Sequence, residues 1–86
     1  MQGEELRQKI KEVMVDELML DYKPDEIGNR TAIFGAHGLG LDSVDALQLV
    51  VALEKHFGLK IADSGAAKGI LENVETIAAE IEKSAA

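Results

Sequence analysis

The chain has 86 residues, 47% of them hydrophobic, with a formal net charge of −7 and a pI near 4.7. That length leaves room for one small domain over residues 1–86. The absence of cysteine excludes disulfides and thiolate metal sites, and the acidity argues against nucleic acid, whose phosphates need clustered Lys and Arg.

The acidic residues are spread over both halves of the chain, which suits either basic partner surfaces or plain solvation. No stretch is long and apolar enough to span a bilayer. Met1-Gln2-Gly3-Glu4-Glu5 lacks the basic and apolar regions of a signal peptide, so a cytoplasmic protein is expected.

In chain order, Glu4 to about Leu20 reads as a first helix. Leu6, Ile10, Val13 or Met14, and Leu18 recur at spacings of three and four, and Glu4 and Glu5 suit the positive end of its dipole. Pro24 stops any continuation. Asp21 to Leu41 is a long connection rich in glycine, and such a loop is uncommon in a small domain unless it has a function. Ile27, Ile33, Phe34, Leu39 and Leu41 are expected to pin it to the core, with a short helical turn inside it.

Asp42 to Phe57 is the second helix. Asp42 is the N-cap, Asp45 completes a capping box with Asp in place of Glu, and Gly58 is the C′ residue. Two apolar stripes run along it. Ala46, Leu49, Val50, Leu53 and Phe57 form one. Val44, Leu47 and Val51 form the other, and it is either more core or a docking face, since one stripe is enough to seat a helix. Asp63 or Ser64 caps a short segment through Ala66, Ala67 and Lys68, weakened by Gly65 and Gly69. Asn73 caps a final helix with Val74, Ile77, Ala78 and Ile81 on one face. The fold class expected is all-α: a small, mostly antiparallel bundle of three main helices and one short one, with a long loop between the first two.

The chemistry centres on Ser43. As an activated nucleophile it needs a general base. His56 lies at the far end of the same helix, roughly 20 Å away at 1.5 Å per residue. His37 is nearer, but the G-x-S-x-G elbow of a hydrolase is absent. Both histidines read as ordinary surface residues. The Gly38-x-Gly40 approach is followed by Leu41-Asp42 and not by the Lys-Ser/Thr of a phosphate loop. Calcium-loop and zinc spacings are missing too. What remains is Ser43 as a substrate of another enzyme, which needs only exposure and a defined backbone. On spacing alone, Asp42-Ser43 reads more readily as a plain capped helix start.

The run Leu39-Gly40-Leu41-Asp42-Ser43-Val44-Asp45-Ala46-Leu47, continued to His56-Phe57, resembles the signature of acyl carrier proteins: Leu-Gly-x-Asp-Ser-Leu and then an acidic amphipathic helix ending in Phe. The match is dense over this helix, while size, acidity, lack of cysteine and helix order agree over nearly the whole chain. The resemblance implies that Ser43 carries 4′-phosphopantetheine, attached from coenzyme A by a phosphopantetheinyl transferase. It implies that the protein is a carrier and not an enzyme, with an acyl chain sheltered within the helical bundle. It also makes the second helix the recognition helix: Val44, Leu47 and Val51 form a partner-facing strip ringed by Asp42, Asp45, Gln48 and Glu54. Acyl-transferring and acyl-modifying enzymes of fatty-acid, lipid or polyketide biosynthesis would present Arg and Lys to that rim, in weak and salt-sensitive contacts. No membrane is involved, and a monomer keeps that helix free.

Several positions depart from the housekeeping fatty-acid carriers. Val44 stands for the usual Leu, Gln48 and Lys55 stand where Glu is common, His56 further reduces the acidity there, and Ala62 replaces a frequent Pro. The loop at Gly35-Ala36-His37-Gly38 is slightly longer, and Ser64-Gly65-Ala66-Ala67-Lys68 lacks the usual acidic third helix. These departures leave the attachment chemistry intact and fit a specialised carrier. Two alternatives stand beside the acyl carrier: a peptidyl or aminoacyl carrier using the same arm, and an unmodified helical interaction module.

Overall fold

The apolar spacing near the N-terminus is realised as helix α1 (Gly3–Leu18), which buries Leu6, Ile10, Met14 and Leu18, and Val13 with them. The structure is a computed structural model and describes residues 3–34, 38–61 and 64–85; for Ser64, Ser84 and Ala85 it describes the backbone alone. The expectations placed on Met1 and Gln2, on His37 and its neighbours Gly35 and Ala36, on Ala62 and Asp63 and on the Ser64 side chain lie outside the described residues.

The helix does not run to Leu20, and Pro24 is not what ends it. Met19 takes a left-handed conformation at φ 51°, and the Leu20 N–H donates to the Val15 carbonyl at 3.1 Å. This is a Schellman-type ending, in which the residue after the cap reverses the chain. A side chain in that region costs roughly 1–2 kcal/mol, offset here by the packing of Leu20 and Val15 against the core. Pro24 instead opens a single 3-10 turn, Pro24–Glu26, the helical turn expected inside the loop.

Helix α2 spans Ser43–Phe57. Gly58 follows it at φ 69° and donates its N–H to Glu54, as a C′ glycine does. Leu49 and Leu53 are fully buried and Ala46, Val50 and Phe57 partly so, which makes the first stripe the core face. Val44, Leu47 and Val51 are 64, 67 and 58% exposed. The core alternative for the second stripe is thereby excluded, because α1 and the loop cover only one side of α2.

Helix α3 (Ser64–Ile70) is short and buries none of its described side chains fully. Helix α4 (Val74–Ala85) buries Val74, Ile77, Ala78 and Ile81. Asn73 caps it by accepting from the Thr76 N–H at 2.9 Å, and the Thr76 hydroxyl accepts from the Asn73 N–H at 3.0 Å, a capping box with Thr in the third position. The chain thus forms an all-helical bundle with no strand among the described residues. Helix α1 packs on both α2 and α4, while α3 packs on α4.

The long connection is held at several points. Ile27 and Ile33 are fully buried, and Phe34, Leu39 and Leu41 pack partly against the core. Leu39 and Leu41 donate to Ala32 and Ile33, joining the two ends of the loop in an isolated bridge between Phe34 and Leu41. Ile33 donates to Glu72 at 3.1 Å, and Glu75 donates to Asn29 at 2.9 Å, which ties the loop to the start of α4. The side chain of the same Glu75 pairs with Arg7 of α1, which also donates to the Gly3 carbonyl at 2.8 Å. The guanidinium pKa is raised above its ordinary value, chiefly by the hydrogen bond to Glu75.

His56 is a surface residue, yet it has a partner. Its Nε2 lies 3.0 Å from Glu17 of α1, with the Lys55 ammonium at 3.9 Å from the same oxygen. The Glu17 carboxyl is held below the usual glutamate range, chiefly by the His56 hydrogen bond, with Lys55 adding to the effect and desolvation opposing it. A depressed carboxyl pKa means that the link is present above the ordinary glutamate value and lost as pH falls through the lowered one. His56→Ala should therefore move the Glu17 titration, followed by NMR of its carboxyl carbon, up toward the ordinary value; an unmoved titration would show that His56 is not what lowers it.

Candidate functional site

Ser43 is the first residue of α2, and its position is set by the cap before it. The Asp42 carboxylate accepts from the N–H groups of Val44 at 3.0 Å and Asp45 at 3.2 Å, and Asp45 Oδ2 accepts from the Asp42 N–H at 3.2 Å. Two carboxylates therefore flank the serine, but both are occupied in holding the helix start. Neither bonds the Ser43 hydroxyl, which is exposed and makes no hydrogen bond to another described residue. His56 is engaged with Glu17 at the opposite end of the helix. Among the described residues no general base touches Ser43, so the hydroxyl cannot be activated from within the described chain.

A cavity of about 680 Å³ opens beside this serine. Phe34 and Leu41 form its wall on the loop side. Ser43, Ala46, Leu47 and Val50 line it from α2. Ile61, Ala67, Lys68 and Leu71 close it from the α3 side, and Asp42 stands at its rim. The volume is that of a small-molecule site, and the lining is mostly aliphatic. Sequence patterning missed the α3 wall. Ile61 and Leu71 lie on either side of a helix too short and glycine-rich for its period to reveal an apolar face.

The seven residues singled out around Ser43 on α2 and its cap separate into three groups. Val44, Leu47 and Val51 form the exposed strip, and Leu47 also lines the cavity. Gln48 and Glu54 are exposed beside that strip. Asp42 and Asp45 hold the cap that presents Ser43. An exposed hydroxyl that no described residue bonds, beside an apolar cavity, fits a group joined through that oxygen whose far end is apolar.

The fold and site are those of a small helical bundle with an exposed serine at a capped helix start beside an apolar cavity. Residues 8–81 match the family model described as the phosphopantetheine attachment site. The chain is 36% identical over 75 residues to the acyl carrier protein of Bdellovibrio bacteriovorus, covering 87% of this chain and 88% of that one. It is 39% identical over 70 residues to that of Phytoplasma australiense, covering 81% and 80%. With that of Campylobacter hominis it shares 38% over 64 residues, covering 74% and 76%. The chain belongs to the phosphopantetheine-attachment family and, within it, to the acyl carrier proteins. It is a carrier and not an enzyme, its prosthetic group is 4′-phosphopantetheine, and it interacts with a transferase and with acyl-modifying enzymes. No helix among the described residues is long and apolar enough to cross a membrane.

Proposed function

We propose that Ser43 is the attachment residue, that the chain acts as a single monomeric domain in the cytoplasm, and that α2 is the face read by its partners. The observation that carries this reading is the exposed Ser43 hydroxyl, which bonds no other described residue, at a capped helix start beside the cavity. When bound, the arm supplies a thiol that holds the acyl group as a thioester. The chain's own part is to place and shelter. The Asp42–Asp45 capping box fixes the backbone on which Ser43 stands. The positive end of the α2 dipole favours a phosphodiester at its first residue. Phe34, Leu41, Ala46 and Val50 offer an apolar wall to an acyl chain, away from water. The departures at Val44, Gln48 and Lys55 fit a specialised carrier with its own set of basic-surfaced partners in fatty-acid, lipid or polyketide synthesis.

The experiment is an intact mass after incubation with coenzyme A and a broad-specificity phosphopantetheinyl transferase. The wild type is expected to gain one phosphopantetheine and Ser43→Ala none. A gain on both proteins would move the site elsewhere.

The partner face has its own test. Glu54→Lys combined with Gln48→Lys should slow acyl transfer to a partner by about tenfold at low salt, because rim charges act on association, while the melting temperature stays unchanged. Asp45→Lys is a poorer probe: it also removes the reciprocal capping bond, at a cost of about 1 kcal/mol. Transfer rates unaffected by the Glu54→Lys and Gln48→Lys substitutions would remove those two residues from the docking face.

A further inference from the structure

Lys68 is the one cationic side chain among the described residues that line the cavity beside Ser43. It stands on α3, a helix whose sequence Ser-Gly-Ala-Ala-Lys-Gly-Ile holds no carboxylate. It forms no ion pair with any described residue. The acidic side chain that shares the cavity, Asp42, is already occupied by the Val44 and Asp45 N–H groups. A cationic side chain that pairs with no described residue therefore lines the space beside Ser43, in a chain of net charge −7. Helix α3 is also the least anchored wall of that space: Ala67 and Ile70 are only half-buried, and no described side chain on it is fully covered. A helix with so little apolar burial moves at low cost.

We infer that Lys68 is a positioning residue for the arm, pairing with its phosphodiester and drawing α3 against the cavity mouth when the arm is attached. The inference rests on Ser43 as the attachment point. A phosphodiester on the Ser43 oxygen carries one negative charge on its non-bridging oxygens, two bonds from Oγ, where Asp42 and Asp45 already concentrate negative charge. An ammonium on the opposite wall offsets that repulsion, and the pairing adds to α3 the anchoring that burial does not provide. Attachment then tightens the cavity before any acyl chain arrives.

Amide exchange across α3 in the apo and holo proteins tests this, in the wild type, Lys68→Gln and Lys68→Arg, with loading verified by intact mass. Pairing at an exposed site predicts that the arm slows α3 exchange by about two- to fivefold in the wild type, that Lys68→Gln abolishes the difference, and that Lys68→Arg retains it. The wild-type difference should also vanish at about 1 M salt, where the screening length falls to about 3 Å. That arm of the experiment needs no variant to load or fold. A fully loaded wild type with identical α3 exchange in its apo and holo forms, or a salt-independent difference, would overturn the pairing and leave Ser43 untouched. A wild type that gains no arm would overturn both.

Discussion

Leu53→Ala is expected to lower the stability of the domain by about 2–5 kcal/mol. Leu53 is fully buried on the core face of α2, in one cluster with Leu49, Ile10 and Ile77. Its removal takes apolar surface out of the core and leaves a void that the neighbouring helices can only partly close. A chain of 86 residues has a total stability on the order of 0.05–0.15 kcal/mol per residue, so this one loss is a large share of the whole. The matched control is Leu47→Ala, on the same helix. Leu47 is 67% exposed, and its truncation should change stability by no more than about 0.5 kcal/mol while weakening partner reactions. Urea unfolding of both variants distinguishes the two stripes. Similar losses for Leu53→Ala and Leu47→Ala would mean that the outward stripe is covered in solution.

Those two leucines also mark where sequence reading succeeds and where it stops. The start of α2 was legible because its signals are local: Asp42, Ser43 and Asp45 lie within one turn, and a capping box depends on nothing further away. The face of α4 was legible for the same reason, with Asn73 before a clean helical period. The end of α1 was not. Pro24 is a strong breaker, yet the chain had already reversed at Met19, a residue with no preference for that conformation, because tertiary packing of Leu20 offsets the cost. The second stripe of α2 could not be assigned from periodicity, since period reports which residues share a face and not what covers it. The long-range links of His56 to Glu17 and of Arg7 to Glu75 were equally invisible. Each joins residues far apart in the chain, and spacing carries no information about such pairs. The cavity beside Ser43 was half legible: its α2 wall follows from the helix, and its α3 wall does not.

The connection that leads to Ser43 is rich in glycine, and the structure gives one of those glycines a physical cause. A Cβ on Gly38 would lie 1.9 Å from the Ala32 carbonyl oxygen and 2.5 Å from its carbonyl carbon. Both are backbone atoms, so no side-chain rotation relieves the overlap. The same Ala32 oxygen accepts the Leu39 N–H at 3.0 Å, and Leu41 donates to Ile33 just beyond. Gly38→Ala must therefore prise the two ends of the loop apart, at a cost on the order of 1–3 kcal/mol or more. For a domain of this size that is a drop in melting temperature of roughly 4–8 °C per kcal/mol. The damage should spread to the site, because Phe34 and Leu41 line the cavity and Leu41 directly precedes the Asp42 cap. Faster exchange of the Leu39 and Leu41 amides would locate it. Gly69→Ala is the control: a Cβ there meets nothing within 4 Å, and Ala is the better helix former by about 1 kcal/mol. That variant should be as stable as the wild type or more so. If both alanines melted alike, close approach to Ala32 would not be the reason glycine stands before the serine.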